Sequence, residues 1–364
     1  MGDILHALPA VTALRRAHPG WVIDWVVEPR WRALLASEGS TGRQSGQISA
    51  QPQPANSQPL VDRLHLAATK DWRKDPFSRH TLHEIKALRA ALRAGEYDAV
   101  IDLQGAIRSA VVGRLAGCRR LIGEAEPRER VARWLFTERV ATQGAHVIEQ
   151  DVELVSAIAG DELTPVQPWL PVDTAAEAWA DELFQPESQP AVLINPGAGW
   201  GAKRWPVERY AAVAQGLVER GFRVLVNAGP GEEPLAETIA QGTGGAATPL
   251  TCTVEQLIAL TRRIALCVAG DTGPLHLACA LGRPVVGIYG PTDPSRNGPF
   301  GTRFKVLRSP ESRRDHSRLE APEAGLLTIQ PEEVLRAAEA LLYPETNSDI
   351  IPETGPMKPS ETAL

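Results

Sequence analysis

The chain has 364 residues, which is enough for two domains of ordinary size. Its formal net charge of −6 argues against nucleic acid as the main partner. Four dispersed cysteines lack the close pairs that zinc sites use, so we expect them to be reduced, as in a cytoplasmic protein, and we expect no metal site. No apolar run reaches the about 18–20 residues of a membrane span.

The chain opens with Met-Gly-Asp-Ile-Leu-His-Ala-Leu-Pro, and residues 4–17 have the pattern of an amphipathic helix. Pro9 and the Arg15-Arg16 pair distinguish this helix from a signal peptide. In an open α/β domain a strand comes before such a helix. We therefore expect that the first strand of the N-terminal domain is missing. Either the fold tolerates its loss, or this sequence begins downstream of the true start.

The rest of the N-terminal part alternates between strand and helix patterns. Strands are predicted at 21–27, 64–67, 98–103 and 120–122. Helices are predicted at 80–94 and 145–159, and a further helix after the strand at 98–103 ends at residue 115. Residues 37–59 are rich in Gly, Ser, Gln and Pro and hold almost no large apolar residue. Such a segment cannot bury enough apolar surface to order itself, so we predict a flexible insert.

The alternation restarts after a proline-rich linker, predicted at residues 161–190, that holds one amphipathic stretch. Strands are predicted at 191–195, 223–227, 264–269, 284–289 and 304–307, and helices at 207–220, 234–239, 254–262 and 331–342. The chain is therefore predicted to be α/β, with two Rossmann-like, doubly wound domains that face each other across a cleft. We place the N-terminal domain at 1–165, the C-terminal domain at 166–343 and a disordered tail at 344–364.

Residues 270–294 are the most informative segment. A strand ends at Gly270, and Asp271 or Thr272 can cap a helix that begins near Pro274 and carries His276 in its first turn. Free N–H groups at a helix start are a site for phosphate. Asp-Thr-Gly is also the aspartic protease signature, but that chemistry needs two such loops. A lone buried histidine is usually a core residue, whereas one beside an anion site favours a functional role.

A glycine-rich loop, residues 195–202, follows the first strand of the C-terminal part and precedes Lys203 and Arg204. It is either a plain connector or a phosphate-facing loop to which these two residues bring positive charge. Its glycines fit the dinucleotide fingerprint. Against a dehydrogenase, the helix starts only after Pro206, and the next strand ends at Asn227, where an acidic residue is expected.

Asp3 lies at a helix start with His6 on the same helix face. The commoner role for such an aspartate is a helix N-cap, but at the mouth of a cleft it can serve as a general base. Basic residues that could face the same cleft are Lys70, Arg73, Lys74, Arg108 and Arg128. They form either a solvated surface or a site for a carboxylate-bearing substrate.

Four motifs in this order resemble glycosyltransferase family 9, the bacterial lipopolysaccharide heptosyltransferases of GT-B fold. They are the opening Gly-Asp-Ile-Leu-His-Ala-Leu-Pro, Val-Ile-Asp-Leu-Gln-Gly-Ala-Ile-Arg-Ser at 100–109, Lys-Arg-Trp-Pro at 203–206, and residues 270–294. The resemblance implies an inverting enzyme of inner-core biosynthesis that moves heptose from ADP-heptose to Kdo of Kdo2-lipid A. The opening motif, Val-Asp-Arg-Leu-His at 61–65 and Trp-Arg-Lys at 72–74 favour this acceptor over later ones.

The resemblance also implies roles for individual residues. Asp3 would be the catalytic base. The donor-binding residues would be Lys203 and Thr272 with Gly273 at the phosphates, Asp271 at the heptose hydroxyls, Glu233 at the ribose or base, and His276. The acceptor's acidic groups would meet Lys70 and Arg73, with Arg108 and Arg128 beside them. Asp71 departs from the family, because the basic loop usually carries a positive charge there.

The family needs no cofactor or tightly bound metal, and a lipid acceptor implies peripheral contact with the cytoplasmic face of the inner membrane. We also expect a monomer. Three alternatives stay open. The chain could be another family 9 enzyme with a different acceptor, an NAD-dependent oxidoreductase, or a remnant that binds the donor without transferring it.

Overall fold

The computed structural model describes residues 1–37, 59–184, 189–313 and 320–343. Residues 38–58 of the predicted insert and the predicted tail at 344–364 lie outside these ranges. The N-terminal half, residues 1–165, contains α1 (Gly2–Ala17), β1 (Asp24–Val27), β2 (Arg63–Leu66), α2 (Thr69–Trp72), α3 (Arg79–Ala94), β3 (Val100–Asp102), α4 (Ile107–Leu115), β4 (Leu121–Glu124), β5 (Glu138–Val140) and α5 (Val147–Ala159). Short 3-10 helices add Pro29–Leu34 and Arg130–Trp134.

The C-terminal half, residues 166–343, repeats the alternation at greater length. It contains α6 (Thr174–Leu183), β6 (Ala191–Asn195), α7 (Val207–Glu219), β7 (Arg223–Ala228), α8 (Glu233–Gly242), β8 (Thr248–Thr251), α9 (Val254–Thr261), β9 (Leu266–Gly270), α10 (Gly273–Ala280), β10 (Val285–Tyr289), α11 (Pro294–Asn297), β11 (Phe304–Arg308) and α12 (Pro331–Leu342). The predicted strands and helices are present with ends that shift by a few residues. The boundary between the halves stays a prediction.

The C-terminal half is built on one parallel sheet with the strand order β11-β10-β9-β6-β7-β8. Every residue of β6, β9 and β10 is buried, because helices cover both faces of a parallel sheet. The chain runs outward from β6 in one direction, then returns to β9 and runs outward in the other. The switch point between β6 and β9 is where doubly wound sheets bind ligands.

The N-terminal half has two separate parallel sheets, one of β1 and β2 and one of β3, β4 and β5. Strand β1 is not paired with β3 in the described part of the chain. The expectation that a first strand is missing stays a prediction.

Helix α1 joins the two halves. Every residue from Leu5 to Arg15 is buried, so the interpretation of this segment as an amphipathic helix with one wet face is wrong. The reason is that α1 packs on both α5 and α10, and Leu5 and Leu8 share one apolar cluster with Leu275 and Leu277. The helix continues through Pro9, which only removes one backbone donor.

The predicted linker contains α6, and this helix belongs to the C-terminal half. Asp173 caps it by accepting a hydrogen bond from the backbone N–H of Ala176. The Glu177 carboxylate then pairs with both Arg262 and Arg263 at the end of α9. Helix α6 is therefore a fixed part of the C-terminal half and not a free connector.

Two expectations for the whole chain concern its cysteines and membrane-spanning helices. The four cysteines, Cys118, Cys252, Cys267 and Cys279, are free, as expected for reduced thiols. Within the described ranges, no helix combines the length and the apolar character that a membrane crossing requires.

Candidate active site

The predicted donor residues lie at the carboxyl ends of β6 and β9, the two strands at the switch point. Lys203 follows β6 after the glycine-rich loop, and Asp271 follows β9 directly. Because β6 and β9 are paired in parallel, these ends meet at one edge of the sheet. The topology therefore brings together residues that are 68 positions apart in the chain.

Asp271 is the centre of this cluster. Its side chain is 8% exposed, and its Oδ2 accepts a hydrogen bond of 2.5 Å from Lys203 Nζ. Its Oδ1 lies 3.1 Å from His276 Nε2. Burial alone would raise the pKa of this carboxyl, but the hydrogen bonds from His276 and Lys203 and the charge of Lys203 hold it well below its usual range. Asp271 is thus an ionised carboxylate with both oxygens in use.

The start of α10 is free of side-chain caps. Thr272 is the N-cap residue, which is one of the two predicted alternatives. Its side chain makes no capping bond, because its Oγ1 donates to the carbonyl of Gly270 at 3.3 Å. The Asp271 carboxylate bonds to the side chains of Lys203 and His276 and not to the backbone N–H groups at the start of α10, so its predicted capping role is wrong. The first-turn N–H groups of α10 are left for an anionic ligand.

The glycine-rich loop lies over the same sheet edge. The ammonium of Lys203 lies 5.0 Å from the ring centre of Trp200, a cation–π contact. Arg204 donates to the carbonyl of Ala198 at 3.4 Å, so its guanidinium bonds to the loop itself. A Cβ at Gly197 would lie 1.9 Å from Glu232 Oε2. A side chain at this position would require the Glu232 carboxylate to move.

Glu233 is the first residue of α8 and is less enclosed than the other predicted donor residues. Hydrogen bonds from the backbone N–H groups of Glu233 and Gly231 lower its pKa. The preceding Glu232 accepts from the N–H of Gly229 at 3.2 Å. Glu232 contacts the glycine-rich loop at Gly197 and so places Glu233 next to that loop, but within the described residues Glu233 makes no hydrogen bond to Lys203 or Asp271.

On the other side, Asp3 lies in the first turn of α1. The N-cap is Met1, so the interpretation of Asp3 as an N-cap is wrong. The Asp3 carboxylate is half exposed, accepts a hydrogen bond of 2.7 Å from Gln104 Nε2, and lies 3.6 Å from Arg128 Nη1. Gln104 had no role predicted from the sequence, although it lies inside the motif at 100–109. Asp3 is a fixed but accessible carboxylate.

The predicted basic residues gather around Lys70. Burial and then the charges of Arg30, Arg108 and Arg73 lower the pKa of Lys70, against the opposing charge of Glu28. Arg30, which lies in the 3-10 helix Pro29–Leu34, is a member that the sequence did not indicate. Lys74 does not add free charge, because its Nζ lies 2.8 Å from Asp71 Oδ1. A cluster of like charges of this kind favours an anionic partner.

The two sides meet where α1 touches α10. A Cβ at Gly273 would lie 2.5 Å from Met1 Sδ, and one at Gly2 would lie 3.7 Å from His276 Cδ2. His6 Nε2 lies 3.2 Å from His276 Nδ1. His276 is buried, and its contacts are with His6 and Asp271, which are charged or polar neighbours rather than core residues.

A cavity of about 180 Å³ lies beside this contact. Its walls include Leu5, His6, His276, Cys279 and Phe300. Pockets that hold drug-sized ligands measure roughly 300–1,000 Å³. The cavity is therefore too small for a whole nucleotide sugar while the halves are in contact.

Two alternative functions lack the geometry that they need. Strand β7 ends with Asn227 and Ala228, and the Asn227 amide donates to Asn195 Oδ1 at 2.8 Å, so the strand end itself carries no carboxylate for a dinucleotide ribose. Asp271 is paired with Lys203 and His276 instead of the second carboxylate that an aspartic protease requires.

Comparison with known proteins gives a consistent result. Residues 85–325 match glycosyltransferase family 9 (heptosyltransferase). Lipopolysaccharide heptosyltransferase 1 of Escherichia coli strain K12 is 32% identical over 321 residues, which are 85% of this chain and 91% of that protein.

Solved structures agree. E. coli heptosyltransferase WaaC with ADP is 27% identical, with a TM-score of 0.73 and coverage of 94% of this chain and 97% of that chain. The same enzyme with ADP-2-deoxy-2-fluoro heptose gives a TM-score of 0.69, 27% identity and coverage of 93% and 96%. The fold is thus GT-B-like, as predicted from the alternation of strands and helices.

Proposed function

The chain belongs to glycosyltransferase family 9, and from this premise we propose that it moves heptose from ADP-heptose to Kdo of Kdo2-lipid A with inversion. The observation that carries the proposal is the contact between α1 and α10. It brings Met1 against Gly273 and Gly2 near His276, directly before Asp3 in the chain, which supports a site shared by Asp3 and the residues around Lys203 and Gly273.

The donor side of the proposal rests on the edge between β6 and β9. Lys203 and the uncapped start of α10 suit a diphosphate, because both offer positive charge or N–H donors. Thr272 and Gly273 lie at that helix start, and the Asp271 carboxylate can accept hydrogen bonds from sugar hydroxyls. The related WaaC was solved with ADP and with an ADP-heptose analogue, which supports the same donor here.

The acceptor side rests on the residues around Asp3. Lys70, Arg73, Arg108 and Arg128 lie in the N-terminal half, and Arg30 joins them through its charge on Lys70. Guanidinium groups bind carboxylates and phosphates in a two-pronged geometry. An acidic sugar such as Kdo therefore fits this side better than a neutral one.

Transfer then follows from the two sides. The Asp3 carboxylate takes the proton of a Kdo hydroxyl, whose oxygen forms a bond to the anomeric carbon of heptose. The bond from that carbon to the diphosphate oxygen breaks, and its electron pair leaves with ADP. Lys203 and the α10 N–H groups stabilise the charge that develops on the leaving diphosphate. Attack opposite to the leaving group inverts the anomeric centre, and no resident cofactor takes part.

We also propose peripheral contact with an anionic lipid surface, through an apolar patch formed by Ile107, Val111, Val131 and Trp134. These side chains are 39–66% exposed, and α4 contacts the 3-10 helix Arg130–Trp134 that carries the last two. The guanidinium groups of Arg133 and Arg139 lie 5.0 and 5.4 Å from the Trp134 ring centre. Exposed tryptophan next to basic residues suits the headgroup region of a membrane.

Sedimentation with phosphatidylglycerol vesicles tests this contact. We expect the double variant V131S/W134S to bind these vesicles at least about fivefold more weakly than the wild type, because it loses buried apolar area. Tyr343→Ser removes an aromatic side chain of similar exposure from the C-terminal half and serves as the control. Equal binding by all three proteins would contradict the proposed surface.

The acceptor is tested by mass spectrometry of the products. With ADP-heptose as donor, we expect the mass of Kdo2-lipid A to increase by one heptose, and we expect no change in an acceptor whose first Kdo already carries heptose. Transfer only to the second acceptor would show another family 9 activity. ADP binding without transfer to either would identify a remnant that only binds the donor.

A further inference from the structure

A chain of four polar side chains crosses the interface between the halves. It runs from Lys203 Nζ to Asp271 Oδ2, from Asp271 Oδ1 to His276 Nε2, and from His276 Nδ1 to His6 Nε2. The first three residues belong to the donor half, whereas His6 belongs to α1. His6 is 8% exposed, and its ring meets that of His276 edge-on with centres 4.4 Å apart.

The proton positions in this chain are constrained. Asp271 is ionised and can only accept, so His276 Nε2 carries a proton and donates it to Oδ1. In its neutral form His276 then has a lone pair on Nδ1, which needs a donor. His6 is the group within reach, at 3.2 Å. Burial and the neighbouring rings of His276 and His146 hold the pKa of His6 well below its usual range, so His6 is itself neutral. It therefore donates from Nε2.

The place of His6 on α1 gives this contact a consequence for the reaction. His6 and Asp3 are three positions apart in α1, so they lie on the same side of the helix. The side chain that contacts the donor site and the side chain proposed as the base are thus carried by one rigid element. A residue that hydrogen-bonds to a functional histidine without touching the ligand helps to fix the tautomer and the orientation of that histidine.

We propose that His6 is a positioning residue that fixes the proton arrangement and orientation of His276 and sets Asp3 in register with the donor site. This inference rests on the proposed function for its kinetic part only. Its structural part concerns the ring nitrogens of His276 and holds for the donor-free protein. His6 touches neither substrate, since it acts through His276 and through the position of α1.

The experiment compares two variants. His6→Leu has an apolar side chain of similar size that cannot donate a hydrogen bond, whereas His6→Gln has an Nε2 that can donate from nearly the same place. The control is His146→Asn. His146 is also buried at the interface, but its Nε2 lies 3.1 Å from the carbonyl oxygen of Gly298, outside the chain of four. Thermal unfolding and ADP titration establish that each variant is folded.

Nitrogen-15 spectra of histidine-labelled protein give the first readout. In the wild type and in His6→Gln we expect His276 to be protonated at Nε2 and unprotonated at Nδ1. In His6→Leu, Nε2 still faces Asp271 but no donor faces Nδ1, and we expect Nδ1 to be protonated as well. In transfer assays we expect His6→Leu to lower kcat by about 10–100-fold with less than about a threefold change in KM for ADP-heptose. His6→Gln should recover most of kcat.

The outcomes separate the two proposals. If the wild type transfers no heptose, the proposed function fails, while the nitrogen-15 pattern still decides the role of His6. If His6→Leu leaves the His276 pattern and kcat unchanged, or if His146→Asn and His6→Gln lower kcat as much as His6→Leu does, His6 has only a packing role and the inference is overturned.

Discussion

Lys203 and Asp271 show how single residues shape the donor site. Each neutralises the other in a buried pair, yet each also has a second partner: Trp200 for the lysine and His276 for the aspartate. A buried ion pair of this kind contributes little net stability, because desolvation offsets its attraction. Such a pair at the carboxyl ends of β6 and β9 is therefore more consistent with ligand binding than with folding.

Substitution of Lys203 tests this interpretation. We expect Lys203→Met to raise the Kd for ADP by about 10–100-fold, since a charge-assisted hydrogen bond contributes about 1.5–3 kcal/mol. Titration calorimetry measures the change. Arg204→Met is the matched control, because Arg204 donates to its own loop at Ala198, and we expect less than about a threefold effect. Equal losses in both variants would contradict the distinct role of Lys203.

The sequence predicted part of this site at the level of residues. Lys203, Asp271 and His276 could be found because each follows a recognisable strand and glycine signal. The contacts of Gln104 and His6 could not, because they join residues 101 and 270 positions apart and depend on the docking of whole elements. Arg30 was missed for the same reason, as its proximity to Lys70 arises only in the folded chain.

Among the elements, α5 contains an unusual buried acid. Asp151 is 3% exposed, and its Oδ2 has no hydrogen-bond partner in the described part of the chain. Burial and then the charges of Glu124, Asp3 and Asp102 raise its pKa well above the ordinary value. An uncompensated carboxyl of this kind destabilises the helix packing whenever it is ionised.

This acid gives a pH-dependent prediction. Between about pH 4, the ordinary aspartate value, and its raised folded pKa, the folded state holds a proton that the unfolded state has released. The free energy of unfolding contributed by Asp151 therefore falls as pH rises through that window. We expect Asp151→Asn to raise stability at pH 8 on the order of 1–3 kcal/mol, and by less at pH 5.

Urea unfolding at the two pH values measures this difference. Because each comparison is between the variant and the wild type, the opposite pH trend of buried histidines cancels. Glu162→Gln, at an exposed position just beyond α5, is the control and should leave both values within about 0.5 kcal/mol. A stabilisation that is equal at pH 5 and pH 8 would contradict the raised pKa.

Elements were predicted best where their pattern is long and buried. The runs that became β6, β9 and β10 are apolar throughout, and α12 was predicted with its observed ends. Strands β5 and β8 were missed because Glu-Arg-Val and Thr-Pro-Leu-Thr are short and mixed in polarity, as edge strands tend to be. The burial of α1 was missed because its partner α10 is remote in sequence.

For the whole molecule, the local distribution of charged residues matters more for substrate binding than the net charge. The chain has a formal net charge of −6, yet Arg30, Lys70, Arg73 and Arg108 gather near one another in the N-terminal half, and Arg128 lies beside Asp3. A local basic surface of this kind attracts an acidic acceptor even on an acidic protein. The proposed donor site lies on the other half, so we propose that each half binds one substrate.

The contact between the halves borders a small cavity. With α1 against α10, the interface leaves a cavity of about 180 Å³, which is below the size needed for a nucleotide sugar. Lys203, Asp271 and Thr272 do not line this cavity, so the donor site proposed at the ends of β6 and β9 lies outside it. The two-sided arrangement was predicted from the repeated alternation of strands and helices, whereas the closeness of this contact was not.

The most direct test of the account is the rate of heptose transfer from ADP-heptose to Kdo2-lipid A by the wild type and by Asp3→Asn, with ADP affinity measured in parallel. The amide keeps the size of Asp3 and its place beside Gln104 but cannot take a proton. We predict that kcat falls by about 10²–10⁴-fold while the Kd for ADP stays within about threefold. Transfer by Asp3→Asn at the wild-type rate would contradict the account.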